Sequence, residues 1–246
     1  MMASIRVDKW LTTAGYGTRS EAKKLCRAGR VRLNGETVKD AAKHADPAVD
    51  VLEVDGELVP YEPLVYFMMY KPPGYVSSTE DPRDPVVIEL LDEEDIWRDV
   101  FPVGRLDKDA EGLLLLTNDG PLAHRLLAPK RHVPKRYFVR VRGALGEGDA
   151  RALAEGVVLD DGYKAMPAEL EILRSGAESE AIIQVYEGKY HQVKRMFASL
   201  GKRVTFLKRI SMGPLSLDPA LKPGEYRRLT EGEIEALRAY DGRGER

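Results

Sequence analysis

The chain runs to 246 residues, with 38 Lys and Arg against 40 Asp and Glu for a net charge of −2, and 43% apolar residues; this is the balance of a soluble globular protein, sized for one large domain or a small module joined to a larger one. No run of eighteen apolar residues exists to cross a membrane, MMASIRVDKW has no apolar h-region so no signal peptide is expected, and a lone Cys26 rules out an internal disulfide or a cysteine-based zinc site and suits a reducing cytoplasm. Near-neutral charge taken alone argues against a nucleic-acid partner, but the charges are unevenly spread.

Residues 1–60 read as a compact module. Val7, Trp10, Leu11 and Ala14 recur at helical spacing, and Gly15 follows as a stop. Thr18-Arg19-Ser20-Glu21 has capping-box spacing and opens a second helix through Ala22, Leu25 and Cys26, ended by Gly29. Asn34-Gly35 supplies a two-residue hairpin turn between Val31-Arg32-Leu33 and Glu36-Thr37-Val38, and a second short strand pair surrounds Asp55-Gly56 from Val51 to Val59. From Arg6 to His44 ten basic residues face four acids. The run RVDKWLTTAGYGTRSEAKKLCRAGRVRLNG resembles the S4 RNA-binding domain over roughly residues 5–50. That resemblance implies that Arg19, Lys23, Lys24, Arg27, Arg30 and Arg32 dock on structured RNA. The physics agrees: A-form RNA hides its major-groove edges, so basic side chains along a helix read mainly phosphates and shape.

Pro60 and Pro63 mark a linker, giving an expected division into residues 1–60 and 61–246. Val65 to Tyr70 reads as a buried strand, and further strands are expected over Gly112–Thr117, Tyr137–Arg142, Glu169–Leu173, Ala181–Tyr186 and Val204–Ile210. Helix-like stretches lie over Pro121–Leu127, Glu147–Glu155 and His191–Leu200, and Thr230 with an acidic first turn caps a final helix. Strands outnumber crossover helices and no repeat appears, so an α+β fold on a mostly antiparallel or mixed sheet is expected. Two more basic blocks fall here, six Lys/Arg over Lys130–Arg142 and seven over Gly188–Arg209, neither with an acid. Three such blocks on a near-neutral chain are the footprint of a polyanion partner.

Phe101 to Leu113 is the most informative stretch. Asp107, Asp109 and Glu111 alternate ahead of Gly112, which invites a calcium-loop reading. Counted from Asp107, Gly112 fits the sixth position, but the twelfth, where a bidentate Glu belongs, is Asn118. A leucine run fills positions seven to ten, so no metal is expected. No GxGxxG or Walker sequence is present, and no cofactor is expected.

The run VGRLDKDAEGLLLLTNDGPLAHRL resembles the pseudouridine synthases, in the RsuA-like branch that acts on small-subunit rRNA and in its large-subunit relatives. KPPGYVSS at 71–78, KRYFVRV at 135–141, EGKYHQVKRMF at 187–197 and LKRISMGPLSL at 207–217 match too, so with the S4-like module the resemblance spans nearly the whole chain. It implies a catalytic domain in which Asp107 is the nucleophile, a carboxylate that adds to carbon and leaves again. It makes Tyr137 the tyrosine that stacks on the extruded uracil and takes part in proton removal. Lys194 takes the basic position of His191-Gln192-Val193-Lys194, where many relatives have Arg; it would pair with Asp107 and keep it ionised and aimed. Arg195 is the rival for that pairing. Arg105 is expected to position the loop or a phosphate. Leu106, His191 and Gln192 join Arg105 and Arg195 as substrate-binding candidates, and Asp109 and Glu111 are left as loop structure or solvated charge.

The expected partner is ribosomal RNA or a small-subunit assembly intermediate, met by a cytoplasmic monomer with no membrane contact. Glu187 to Arg195 resembles the small-subunit branch more closely, with a large-subunit (23S) target the alternative. A reading of another class, a non-catalytic RNA-binding assembly protein, would be marked by loss of Asp107, which is present.

Overall fold

The computed structural model of the chain describes residues 4–242; the first three residues, part of the stretch searched for a leader, and the last four lie outside the described residues. The chain forms two compact units. One takes residues up to Val65 together with Ile88–Phe101, and the other takes Tyr66–Val87 and the chain from Pro102 on. A single boundary at 60–61 therefore does not describe Ile88–Phe101, which returns to the first unit. Arg98 in this excursion donates to Ala14 O (3.5 Å) and faces Glu62 (3.8 Å). Gly15, expected only as a helix stop, has φ +90° and lies so close that an added Cβ would sit 2.8 Å from Glu94 O. The return depends on contacts that no local pattern announces.

In the first unit β1 (Ile5–Arg6) pairs with β4 (His44–Ala45), and α1 (Val7–Thr13) and α2 (Arg19–Arg27) pack on a sheet ordered β3 (Glu36–Thr37), β2 (Val31–Leu33), β5 (Leu52–Val54), β6 (Glu57–Leu58). The capping box forms: Glu21 N donates to Thr18 Oγ1, and Thr18 N to Glu21 Oε2, worth about 1 kcal/mol. Val7, Trp10 and Leu11 of α1 and Ala22 and Cys26 of α2 are buried against Val31, Leu33, Leu52 and Val54. The indole N–H of Trp10 is not stranded; it donates to Val59 O at 3.1 Å. Asn34 and Gly35 both take positive φ, 53° and 80°, as the type I′ turn requires. The short α3 (Glu93–Ile96) lies in the returning segment.

The second unit is built on a mixed sheet. Its path runs β11 (Glu169–Arg174), β12 (Glu178–Val185), β10 (Lys135–Arg142), β13 (Arg203–Met212), β9 (Glu111–Thr117), β7 (Tyr66–Lys71), β15 (Tyr226–Arg228). Off this path β14 (Leu215–Ser216) pairs with β13, and β8 (Phe101–Pro102) with β9. The ladder of β9 with β13 is parallel, and those of β10 with β12 and β13, β11 with β12, β13 with β14, β7 with β9 and β7 with β15 are antiparallel. Two-residue alternation puts Tyr137, Val139 and Val141 of β10 on the same buried side as Ala181, Ile183 and Val185 of β12. Leu153 of α5 (Glu147–Glu155) and Met196 and Phe197 of α6 (Gln192–Ser199) cover that side. The central strands β7 and β9 are buried almost throughout, which is why they read as continuous apolar runs. Helices α4 (Gly120–Leu127) and α7 (Glu231–Ala239) complete the unit, α7 opening on the Thr230 capping box. No helix among the described residues is long and apolar enough to cross a membrane.

Gly112 fixes the start of β9. It has φ +109°, and a Cβ there would lie 2.2 Å from Arg209 O of the parallel neighbour β13. Only glycine lets the two backbones meet, so the loop ahead of Gly112 is anchored at that point.

Candidate active site

Asp107 lies in the loop from β8 to β9, and the KPPGYVSS segment holds that loop. The Ser77 hydroxyl, buried, accepts from Leu106 N and donates to Leu106 O, both at 3.0 Å. Lys71, fully buried, donates to Ala110 O (2.8 Å), Pro72 O (2.9 Å) and Lys108 O (3.4 Å). Burial pushes the Lys71 ammonium down to about 8, against the pull of Asp109 and Asp107. Gly74 N donates to Lys108 O at 2.7 Å, and Ala110 N closes a turn on Asp107 O at 3.1 Å. The residues on either side of Asp107 are thus bonded through their backbone, while its own carboxylate stays partly exposed.

That carboxylate meets Lys194 of α6, with Nζ 2.9 Å from Oδ2. The same ammonium lies 2.6 Å from Asp109 Oδ1. Burial lowers the Lys194 pKa, but the hydrogen bonds of Asp109 and Asp107 outweigh it and hold the group above its ordinary value. Asp109, pushed up by burial, is held below the usual carboxylate range by the hydrogen bond and charge of Lys194. Asp109 is therefore a partner in this cluster rather than only a solvated charge. Glu111, the third acid of the alternation, accepts from the Tyr70 hydroxyl. Asp107 and Asp109 share the Lys194 ammonium while Glu111 turns to Tyr70, so the three acids do not converge as a calcium loop needs.

Arg195 does not take the pairing offered to it as a rival. It points from the other side of α6 to Asp160 and Asp161. One residue along a helix turns a side chain by about 100°, so Lys194 and Arg195 cannot share a target. Gln192 is buried and committed to its own turn: its Nε2 donates to Glu187 Oε1 at 2.8 Å and its Oε1 accepts from Lys189 N at 3.2 Å. Gln192 thereby braces the segment ahead of α6. His191, at the start of α6 with φ 49°, places Nε2 3.8 Å from Asp107 Oδ1 and stacks on Tyr190.

A cavity of about 1120 Å³ opens over this cluster, lined by Asp107, Arg105, Leu106, Tyr137, His191 and Gln192 among others. Pockets for drug-sized molecules span roughly 300–1,000 Å³, so there is room for a nucleotide. Tyr137 is buried on β10, in register with Arg209 of β13 and Ile183 of β12. Leu106 packs in the same core as Tyr137. Arg105 is exposed at the cavity and makes no ion pair among the described residues. Two cations that the sequence reading counted only within its basic blocks line the cavity. Lys135 stands two residues before Tyr137 on the same side of β10, and burial, then the charge of Arg209, push it down to about 8. Arg209 is almost fully buried and donates from Nε to Leu113 O at 2.7 Å, leaving Nη2 with no protein partner. Their signal was present in the KRYFVRV and LKRISMGPLSL runs, whose alternation places Lys135, Tyr137 and Arg209 on one face.

The basic residues of the first unit are exposed. Arg19, Lys23 and Arg27 recur every four residues along α2, an exposed row flanking the buried Ala22 and Cys26. Lys23 and Arg27 line a hollow of about 240 Å³ with Arg6 and Lys39. Lys24 lies beside this row and Arg32 on β2. Arg30 is already bonded to Asp55, which neutralises part of its charge.

Residues 65–199 match the family model described as RNA pseudouridylate synthase, and residues 5–51 match the S4 domain. The chain is 49% identical over 234 residues to the uncharacterized RNA pseudouridine synthase YtzG of Bacillus subtilis, covering 95% of this chain and 98% of that one. It is 39% identical over 234 residues to ribosomal small subunit pseudouridine synthase A of Escherichia coli, covering 95% of this chain and 100% of that one. A crystal structure described as pseudouridylate synthase superposes with a TM-score of 0.67 at 39% identity, over 95% of this chain and 100% of the other.

Proposed function

Because the chain belongs to the RNA pseudouridylate synthase family and carries an S4 domain, we propose that it isomerises one uridine of small-subunit ribosomal RNA, with Asp107 as nucleophile on an extruded nucleotide. The observation that carries this reading is the Asp107–Lys194 pair at 2.9 Å, whose carboxylate residue lines the same large cavity as Tyr137. The reaction breaks the N1–C1′ bond of uridine and forms C5–C1′. The electron pair of the broken bond stays on the uracil, and the proton lost from C5 is balanced by one gained at N1, so no electron carrier is needed. The Asp107 carboxylate adds to carbon and leaves again, dividing the exchange into two easier steps. Lys194 holds the carboxylate in place through their ion pair at 2.9 Å. Tyr137 stacks on the uracil as it turns and assists the proton transfer.

The base must leave its stack to reach Asp107, at a cost of a few kcal/mol that is least for an unpaired nucleotide. Lys135 in the cavity and the row along α2 offer cationic contacts to RNA. The small-subunit target rests on relatives such as the E. coli protein named for that subunit. It also rests on Glu187–Arg195, which resembles the small-subunit branch. The chain works as a monomer in a reducing cytoplasm, which its lone cysteine suits. Incubating the protein with unmodified 16S and 23S transcripts, free and as assembly intermediates, and mapping pseudouridine by carbodiimide primer extension tests the proposal. One new stop in 16S RNA is expected. A stop confined to 23S RNA overturns the target, and none in either overturns the activity.

A further inference from the structure

The turn from Glu187 to Gln192 is braced from within. Glu187 accepts from Tyr163 Oη (2.6 Å), Met166 N (2.8 Å) and Gln192 Nε2 (2.8 Å), and Gln192 Oε1 in turn accepts from Lys189 N. His191 then adopts φ 49°, a left-handed conformation that a non-glycine residue takes only when its surroundings impose it. The consequence is the placement of Tyr190. Its ring lies flat on the His191 imidazole, with centroids 3.8 Å apart and planes 19° from parallel. Yet Tyr190 is 69% exposed, the most open aromatic side chain among the large exposed apolar residues described. One isolated exposed tyrosine would carry no argument. Here the ring is held in place by a rigid turn, belongs to the cavity lining, and stands next in sequence to the histidine whose Nε2 lies 3.8 Å from Asp107. Lys189, the preceding residue on the same turn, lines the same cavity, with its ammonium 4.9 Å over the Tyr163 ring.

We propose that the open face of Tyr190 is a stacking platform for an unpaired nucleobase next to the target uridine, with Lys189 beside it for the adjoining phosphate. This deepens the reading of the cavity as an RNA site and rests on it. Extruding one nucleotide unstacks its neighbour, and a fixed aromatic ring at the rim replaces the lost stacking without regard to base identity. Because the ring is already ordered against His191, little side-chain entropy is lost when the base arrives. Tyr190 in this role is a substrate-binding residue and takes no part in the bond changes.

The test compares wild type with Tyr190→Ala, Tyr190→Phe and Tyr190→Trp on an unmodified 16S rRNA transcript, measuring both the dissociation constant and the kcat and KM of pseudouridine formation. Tyr190→Ala should raise Kd and KM by roughly 5- to 150-fold, the range of one base–aromatic stack, while kcat at saturating RNA stays near wild type. The Phe and Trp variants, which keep a ring, should restore both constants. An unchanged Kd for Tyr190→Ala, or a loss that Phe and Trp do not rescue, overturns the platform. A fall in kcat alone overturns it too, since it would place Tyr190 in the chemistry. The Kd arm needs no turnover, so wild type that binds the transcript without modifying it refutes the catalytic reading and leaves the platform to be decided by binding.

Discussion

Replacing Ser77 by alanine should disarm Asp107 without touching it. The Ser77 hydroxyl is the partner of both backbone groups of Leu106, each at 3.0 Å, and the site is buried. Alanine leaves a buried N–H and a buried C=O without that partner, at about 1–3 kcal/mol each. Partial relaxation of the loop brings the expected loss of stability to about 2–4 kcal/mol. For a chain of this size that corresponds to a melting temperature lower by roughly 4–16 °C. Leu106 directly precedes Asp107, so the relaxation that recovers stability also moves the carboxylate. A displacement of about 1 Å at a reacting group costs on the order of 100-fold in rate. Thermal melts followed by circular dichroism and kinetic assays on rRNA give the two readouts, with kcat expected to fall by about 10- to 100-fold and KM little changed. A Ser77→Ala protein that melts with wild type and turns over RNA at the wild-type rate would refute the idea that this hydroxyl positions the loop.

Lys194→Met should lower kcat by about 100-fold, the scale of losing one aligned charge partner at a reaction centre. Asp109→Asn should cost less than about 5-fold, because Asp109 is largely exposed and such pairs contribute roughly 0.2–1 kcal/mol; steady-state kinetics that reverse this order would contradict the division of labour between Lys194 and Asp109. Stability should rise with pH on the alkaline side. Lys71 sits near 8 in the folded chain against 10.5 ordinarily, so the unfolded chain binds more protons between those values and folding becomes more favourable as pH climbs through them. At ~1.36 kcal/mol per pH unit the gap caps the gain at roughly 3 kcal/mol. Urea midpoints at pH 7.5 and 9.5 should move upward for wild type and less for Lys71→Met; no difference between the two proteins would be the contrary result. In the first unit, Lys23→Gln with Arg27→Gln should flatten the slope of log affinity against log salt by about 1.4–1.8. KM should rise with kcat unchanged, as filter binding and kinetics across a salt series would record; an unaltered slope would remove α2 from the RNA contacts.

What was legible in the sequence was local. The capping box at Thr18, the N-cap at Thr230, the positive-φ turns at Asn34-Gly35 and Asp55-Gly56, and the alternating strands β10 and β12 each depend on residues a few positions apart, and all are formed. What escaped depends on distance along the chain. The pairing of β1 with β4 spans some forty residues of mixed composition. The return of Ile88–Phe101 to the first unit hangs on Gly15 and Arg98, neither of which carries a periodic pattern. In the site, Asp107 and Lys194 meet as the motifs imply, whereas helical geometry alone removes Arg195, one residue further on. Gln192, expected as a substrate contact, lines the cavity and is bonded to Glu187 as well, a partner five residues back that the motif did not suggest. Ser77, Lys71 and Asp109 lay within recognised runs but without an evident task, since their work is done on the backbone or the counter-ion of another residue.

Asp107 carries the central claim. Asp107→Asn keeps the size and much of the hydrogen bonding of the side chain while removing the negative charge and nucleophilicity of the carboxylate. The measurement is pseudouridine formation on unmodified 16S rRNA by wild type and by this variant, at matched RNA occupancy established by binding. A nucleophilic Asp107 predicts a new modified site with wild type and none with Asp107→Asn while RNA binding persists. Equal modification by the two proteins would contradict it.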